Sequence, residues 1–441
     1  MTNTDSSPAD GSVSVEPARA RALPSVVYLA GALAGGNVIS SVLRTVGGVL
    51  QARLVTVPML GLFGFLNMVS EYAAMAQLGV FNGLNRDLPY YSGKGDRQRV
   101  NELAAAAQAW AIVVSLLVAL LMLPLAVWYG LQGDMWRAVG WLTNAIFAFM
   151  LFYCAQPISY LQVTYRTGHD FARLAMVGVV QNAVGLALVV LVAFFNFYGM
   201  CLRMLLTFGV AAVLLHYMRP LRVGPKWNAV HLKHLLGVGL PIFGVGLLYF
   251  WWATLLNKTL VWFYTGERGM GLYYNVITAA SMLELLPQAV SQVVYPRMSE
   301  KYGHTGKLQG LLDMTAKPMA LTALGMIPVI AVSWWLVEPA MRLVLPKYIE
   351  AVPAMRWGLL APFVSSFAPV TLVFNVVRRQ DLFVAAILVG MAAYTGCLLW
   401  LLRDGVTLMV FPQAMLVGQT VYMLSSYAFV RYLVRRERAA T

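Results

Sequence analysis

Four charged side chains lie inside long apolar stretches of this 441-residue chain. Two are cations, Arg44 and Lys258, and two are carboxylates, Glu71 and Glu284. A charge in hydrocarbon costs about 2–3 kcal/mol or more, so it usually faces a protein cavity or a partner. A cation in such a place attracts phosphate strongly, and a carboxylate there can exchange a proton. These residues are therefore the first candidates for a functional site.

Each of these charges also has a purely structural interpretation. At about 1.5 Å per residue, Arg44 and Lys258 lie about 10 and 7 Å from the predicted outer ends of their helices, within reach of the membrane surface. Glu71 and Glu284 could form ion pairs with the cation of the same half of the chain. Arg356, near the start of another apolar stretch, is expected to reach the surface. The sequence leaves both interpretations of the first four residues open.

The elements that hold these charges are long apolar helices. Hydrophobic residues make up 60% of the chain and charged residues 11%, whereas about a quarter of residues are charged in soluble proteins. The stretches are too continuous for the alternating strands of a membrane barrel, and helices satisfy their own backbone groups in lipid. The sequence predicts an all-α polytopic membrane protein with about twelve transmembrane helices, at residues 25–50, 59–84, 104–128, 138–163, 171–196, 198–218, 237–262, 271–296, 314–337, 351–376, 382–402 and 407–431.

Basic residues are distributed unevenly between the two predicted sides of the membrane. With the N-terminus in the cytoplasm, 22 lysines and arginines fall on the cytoplasmic side and 7 on the other. Because cytoplasmic loops carry an excess of Lys and Arg, this distribution predicts that both termini are cytoplasmic. It also accounts for the net charge of +14 without a nucleic-acid partner.

The longest basic break between apolar stretches divides the chain into two sets of six predicted helices. The predicted order is a disordered cytoplasmic tail (1–22), an N-terminal six-helix lobe (23–218), a basic cytoplasmic linker (219–236), a C-terminal six-helix lobe (237–432) and a basic tail (433–441). Because six is even, both lobes share one orientation. We therefore expect a pseudo-two-fold axis along the membrane normal and a central cavity between the lobes.

A shift of 210 residues aligns the charges of the first half with those of the second. Glu71 then falls three positions from Glu284, and Arg44 falls four positions from Lys258, each about one helical turn. Each lobe is thus predicted to carry one cation on its first helix and one carboxylate on its second. We expect the site in the space between all four residues.

Several sequence patterns resemble a known family. The seventh and eighth predicted helices contain GLPIFG at 239–244, GERGMGLYYN at 266–275 and YPRMSE at 295–300, and the second contains VPMLGLFGFLNMVSEYA at 57–73. In these patterns, and in length and helix number, the chain is similar to the polysaccharide/oligosaccharidyl-lipid flippases (Wzx-type). These belong to the multidrug/oligosaccharidyl-lipid/polysaccharide exporter (MOP) superfamily.

The resemblance implies a V-shaped transporter in the bacterial cytoplasmic (inner) membrane. Such a protein flips a polyprenyl-diphosphate-linked oligosaccharide, the repeat unit of an O-antigen, capsule or exopolysaccharide, by alternating access. Arg44 and Lys258 would then bind the diphosphate, while Glu71 and Glu284 would balance the charge or couple transport to an ion. Membrane lipids, and a polymerase and glycosyltransferases of the same pathway, would be its partners.

Two glutamines could extend this site. Gln288 and Gln292 follow Glu284 by one and two helical turns, so they could share its face and bind sugar hydroxyls. Polar side chains in transmembrane helices more often bridge neighbouring helices, which is the alternative for both.

A cation-coupled multidrug-type antiporter of the same superfamily is the alternative function, although the early helices lack its acidic cation-site pattern. An enzyme is not expected, because the predicted outer loops are too short for a sugar polymerase or ligase and no phosphate-binding Gly-rich loop is present. No cofactor or metal site is expected. His231 and His234 flank the basic linker without acidic neighbours in the sequence, so both are expected to be solvated.

Overall fold

The computed structural model describes residues 26–168, 170–305, 308–377 and 379–440, and helices account for most of these ranges. The α-helices are α1 (Val26–Leu54), α2 (Val57–Ala73), α3 (Val80–Gly93), α4 (Arg97–Leu131), α5 (Met135–Met150), α6 (Tyr160–Thr167), α7 (Phe171–Ala187), α8 (Val189–Tyr217), α9 (Ala229–Phe250), α10 (Asn257–Thr305), α11 (Gln309–Val344), α12 (Val352–Gly358), α13 (Ala361–Ser365), α14 (Pro369–Val377), α15 (Gln380–Leu401) and α16 (Val410–Ala440). Short 3₁₀ segments lie at Ala74–Gln77, Pro346–Ala351 and Leu402–Asp404, and π-helical segments at Leu151–Ala155 and Trp251–Leu256.

The all-α prediction with about twelve helices is confirmed. Within the described ranges, seven helical segments are long and apolar enough to cross a membrane, or eight if Pro346–Ser365 and Pro369–Val377, bent by 46°, form one span. One of the seven, Ala229–Gln288, is 60 residues long and contains the predicted span 237–262 and most of the predicted span 271–296. The predicted span 25–50 falls on α1 from residue 26 onward, and most of the predicted span 407–431 falls on α16.

A turn at Gly266 separates the seventh and eighth predicted spans, although α10 runs through it. Gly266 has φ 61° and ψ −157°, a backbone conformation that glycine adopts without a Cβ penalty. The Asn257 amide on one arm donates a 2.5 Å hydrogen bond to the Tyr273 hydroxyl on the other. A straight helix would place residues 16 apart about 24 Å from each other, so the two arms fold back as a hairpin.

Side-chain caps fix where several helices begin. The side chains of Asp96, Asp134 and Asn228 accept hydrogen bonds from backbone N–H groups two or three residues later, at 2.9, 3.2 and 3.0 Å. These bonds satisfy donors that the first turn of α4, α5 and α9 leaves unpaired. Because Asn228 caps α9, this helix begins at Ala229, inside the stretch predicted as linker, rather than at residue 237.

The first half of the chain (26–217) meets the second half (229–440) through close helix contacts in two places. Near the Gly266 turn, α2 packs against α10, and a Cβ added at Gly61 would lie 1.7 Å from the Glu267 carbonyl oxygen. A Cβ at Gly271 would lie 2.1 Å from the Val57 carbonyl oxygen. The two backbones therefore touch directly, which requires glycine on both helices.

The second contact joins α3 to α9 near the start of α9. A Cβ at Gly239 would lie 1.9 Å from the Gly79 carbonyl oxygen, and one at Gly83 would lie 2.3 Å from the Leu235 carbonyl oxygen. Gly79 also has φ +84°, which strains any other residue. Small residues thus hold the two halves together at both places, as they do between many membrane helices.

Candidate functional site

An ion pair joins the two halves between these glycine contacts. The Lys258 ammonium, near the start of α10, donates to both carboxylate oxygens of Glu71 on α2, at 2.6 and 2.8 Å. The two side chains are 13% and 31% exposed. The structure therefore corrects the alternative in which Glu71 pairs with the cation of its own half, because its partner comes from the other half.

The next residue on each helix makes a second bond across the same interface. The Tyr72 hydroxyl and the Thr259 hydroxyl lie 2.7 Å apart, and Thr259 also donates to the Leu255 carbonyl oxygen at 2.9 Å. Consecutive side chains of α2 thus face consecutive side chains of α10. This register holds Lys258 opposite Glu71.

The four predicted charges line two cavities that share Lys258. Arg44, Glu71 and Lys258 line a cavity of about 460 Å³, and Glu284 lines a neighbouring one of about 300 Å³ together with Lys258 and Ser365. Residues of both halves form the walls of the larger cavity. The structure thus brings all four residues into one region, as the alignment of the two halves predicted. The ion pair, however, joins a residue of one half to a residue of the other.

Arg44 differs from Lys258 because it has no carboxylate partner among the residues that the structure describes. Its side chain is exposed to the cavity and makes no ion pair or hydrogen bond with any described residue. The carboxylate nearest in the cavity lining, Glu71, already accepts two bonds from Lys258. Arg44 is therefore an uncompensated cation on the wall of a polar cavity, where it is available to an anion.

Arg203 is a further cation of this region, and it was not among the site residues predicted from the sequence. It lies inside α8, where it lines a third cavity of about 170 Å³ together with Arg44. Its Nε donates to the Gly185 carbonyl oxygen at 2.6 Å, and its Nη1 donates to the Gln51 side-chain oxygen. Arg203 falls within the predicted span 198–218, and a charge inside a predicted span is the signal that could have identified it as a candidate.

The remaining candidates are less closely tied to this region. Gln288 is exposed and is not among the residues that line the three polar cavities. The side chain of Gln292 lies outside the described residues. Arg356 donates a 2.9 Å bond to Glu338 and lies over the Trp334 ring, so an ion pair on the neighbouring helix holds it.

The two linker histidines have carboxylate partners, contrary to the sequence expectation. His234 Nε2 lies 2.7 Å from the Asp87 carboxylate, and His231 Nε2 lies 3.2 Å from the Glu102 carboxylate. Asp87 and Glu102 are more than 100 positions away, so neighbouring sequence gave no sign of them. Both pairs join the start of α9 to helices of the first half.

Comparison with solved structures identifies the fold. An inward-facing multidrug resistance MATE family transporter of the MOP superfamily is 13% identical, with a TM-score of 0.74 over 91% of this chain and 96% of that one. An outward-facing transporter of the same kind is 15% identical, with a TM-score of 0.64 over 94% and 96%. A MOP superfamily transporter from Pyrococcus furiosus is 15% identical, with a TM-score of 0.64 over 93% of this chain and 95% of that one. Its binding pocket is described as having reverse polarity.

Sequence comparison identifies the family. No curated protein matches the chain. Residues 49–353, more than half of the chain, match the family described as polysaccharide biosynthesis protein. The fold of the chain is similar to that of the solved MOP superfamily transporters. The chain therefore belongs to the polysaccharide biosynthesis protein family, and its fold is similar to that of MOP superfamily transporters.

Proposed function

We propose that this chain flips a polyprenyl-diphosphate-linked oligosaccharide across the bacterial cytoplasmic membrane by alternating access. The observation that carries the proposal is Arg44, a cation with no counter-ion in the described part of the chain, on the wall of a cavity built by both halves. Membership of a polysaccharide biosynthesis family supports this substrate class. A lipid-linked sugar presents its charge as a diphosphate, and Arg can bind phosphate through two parallel hydrogen bonds.

Lys258, Glu71 and Glu284 would determine how the charge of the cavity changes when the substrate binds. Lys258 is neutralised by Glu71 here, so Arg44 meets the diphosphate first. Glu71 and Glu284 would balance the charge of the cavity, and a proton taken up by either would change that balance. Because Lys258 lines both larger cavities, a movement of its ammonium away from Glu71 would alter both of them.

The proposed orientation follows the distribution of basic residues. Both termini and the linker would lie in the cytoplasm, with two six-helix lobes related by a pseudo-two-fold axis along the membrane normal. The contact of α3 with α9 would then close the cytoplasmic end of the cavity, and that of α2 with α10 the outer end. Alternating access would require these two contacts to separate in turn. Glycosyltransferases would supply the substrate, and a polymerase would use the product.

A complementation experiment tests the proposal. Deletion of the gene should cause lipid-linked repeat units to accumulate on the inner leaflet, and the intact protein should restore surface polysaccharide. We expect Arg44→Ala and Lys258→Ala to reduce surface polysaccharide about tenfold or more. Arg268→Ala is the control, because Arg268 is 67% exposed and pairs with exposed Glu350. Wild-type polysaccharide levels in both cavity variants would contradict the assigned roles.

A cation-coupled antiporter is the second candidate. Glu71 and Glu284 line two cavities that share Lys258, and the solved structures reported above include multidrug resistance transporters. In that case a cationic dye would be expelled from cells that carry the protein. Glu71→Gln or Glu284→Gln should then abolish efflux, while surface polysaccharide stays unchanged. The flippase proposal expects the opposite pattern.

A further inference from the structure

The smallest of the three polar cavities carries positive charge without a carboxylate. Arg44 and Arg203 both line it, and its other polar lining residues are Asn67, Gln181, Asn182 and Thr207. No aspartate or glutamate is among the lining residues. The charge of Arg203, which is half-buried, meets no carboxylate in this lining, so an anion in the cavity would compensate it.

The contacts of Arg203 leave one of its nitrogens available. Nε and Nη1 donate to the neutral oxygens of Gly185 and Gln51, which orient the guanidinium but do not neutralise it. Nη2 lies over Gly47, where an added Cβ would approach it to 2.7 Å. Nη2 forms no hydrogen bond with the described residues, so this nitrogen of the Arg203 guanidinium can bind another group.

A second unpartnered polar atom supports a ligand in the same place. The Thr207 hydroxyl oxygen is buried and has no hydrogen-bond partner in the described part of the chain. It lies on the same helix as Arg203 and on the same cavity wall. Buried hydroxyls normally form hydrogen bonds, so an acceptor in this cavity would satisfy it.

The charge of the two cavities that Arg44 lines matches one class of ligand. The 170 and 460 Å³ cavities share Arg44, and together they are lined by three cations, Arg44, Arg203 and Lys258, and one carboxylate, Glu71. The excess is two positive charges. A diphosphate diester carries one negative charge on each phosphate, so one such group would balance the excess.

We propose that Arg44 and Arg203 form a diphosphate-binding subsite within the first half of the chain, with the Thr207 hydroxyl as a further donor. The inference rests on the proposed function and revises one part of it. Lys258 then serves to join the two halves through Glu71, and Arg203 replaces it as the second cation that binds the diphosphate.

A binding measurement on the full-length protein tests the subsite. The protein is placed in phosphatidylcholine nanodiscs, and farnesyl diphosphate is the probe, with binding followed by titration and by the rise in melting temperature. We expect Arg44→Gln and Arg203→Gln each to weaken binding about tenfold or more. Arg268→Gln, at an exposed ion pair, should bind like the wild type. If Arg203→Gln retains wild-type affinity and the same rise in melting temperature, Arg203 only links helices and the inference is wrong.

A pair of adjacent glycines provides a test that leaves both arginines in place. Gly47→Ala adds a methyl group 2.7 Å from Nη2 of Arg203 and should displace that group, whereas Gly48 has nothing within 4 Å. We expect Gly47→Ala to weaken farnesyl diphosphate binding severalfold and Gly48→Ala to leave it unchanged. This test stands even if Arg203→Gln does not fold, and equal affinities for the two alanine variants would overturn the subsite.

Two further arms separate the possible outcomes. If phosphatidylglycerol displaces farnesyl diphosphate at similar concentrations, the site holds ordinary lipid headgroups and the diphosphate assignment fails. If deletion of the gene leaves surface polysaccharide intact while probe binding depends on Arg203, the proposed function fails and the anion subsite stands. If deletion abolishes surface polysaccharide but Arg203 is not required for binding, only the subsite fails.

Discussion

Lys258 of the second half of the chain donates two hydrogen bonds, of 2.6 and 2.8 Å, to Glu71 of the first half. This pair lies between two glycine contacts that bring the same halves together, one near the Gly266 turn and one at the start of α9. A movement of one half against the other at this place would therefore separate Lys258 from Glu71 unless both side chains follow it. A movement that separated the pair would leave Lys258 without this carboxylate and would thereby change the charge of the cavity.

The first prediction concerns the energetic coupling of this pair. Glu71→Gln or Lys258→Gln leaves one charge unpaired inside the membrane region, and we expect each to lower the free energy of unfolding by about 1.5–3 kcal/mol. The double variant leaves no unpaired charge, so it should be less destabilised than the sum of the two. Thermal unfolding in detergent measures this cycle. Additive effects would mean that the two side chains do not interact.

The second prediction concerns the backbone contact of α2 with α10. Gly61→Ala places a methyl group 1.7 Å from the Glu267 carbonyl oxygen, so the helices must separate. We expect a loss of about 1–3 kcal/mol in stability and greater access of thiol reagents to cysteines placed near the Gly266 turn. Gly64→Ala is the control one turn away, because its methyl group would meet the Met270 side chain at 3.5 Å and the Tyr274 ring at 3.8 Å, which are ordinary contact distances. Equal stability of the two variants would show that the contact is absent in the membrane.

The third prediction compares the two histidine–carboxylate pairs at the start of α9. The Asp87 side chain is 9% exposed and that of Glu102 is 37% exposed. Asp87→Asn should therefore cost about 1.5–3 kcal/mol, whereas Glu102→Gln should cost less than about 1 kcal/mol because solvent screens the exposed pair. The melting temperatures of the purified variants check this order. A larger loss for Glu102→Gln would contradict the assigned burial.

The fourth prediction concerns orientation in the membrane. Alkaline phosphatase needs its disulfides and is active only outside the cytoplasm. Fused after Lys226, in the linker, it should be inactive, and fused after Glu267, in the hairpin turn, it should be active. The reverse activities would invert the proposed orientation and place the linker outside the cytoplasm.

Much of the fold could be predicted from sequence, because each helix is specified by its own residues. A long apolar stretch in lipid has to satisfy its backbone hydrogen bonds within itself, and this condition yields the helices without knowledge of their neighbours. Local signals also mark breaks between helices. Gly266 adopts the turn that separates two predicted spans, and Asn196, with φ 49°, interrupts α8 between two others.

What the sequence by itself determined is therefore the helices and which charges lie within them. Only the tertiary structure decided which charges meet. Helical periodicity assigns Glu71 to a face of α2, but it does not say that Lys258 of the other half covers that face. Nor does it say that Arg44 has no ion-pair partner among the described residues. The pairing of Lys258 with Glu71 depends on close packing at glycines such as Gly61 and Gly271. The two residues are 187 positions apart, and helical periodicity does not predict contacts at such a distance along the chain.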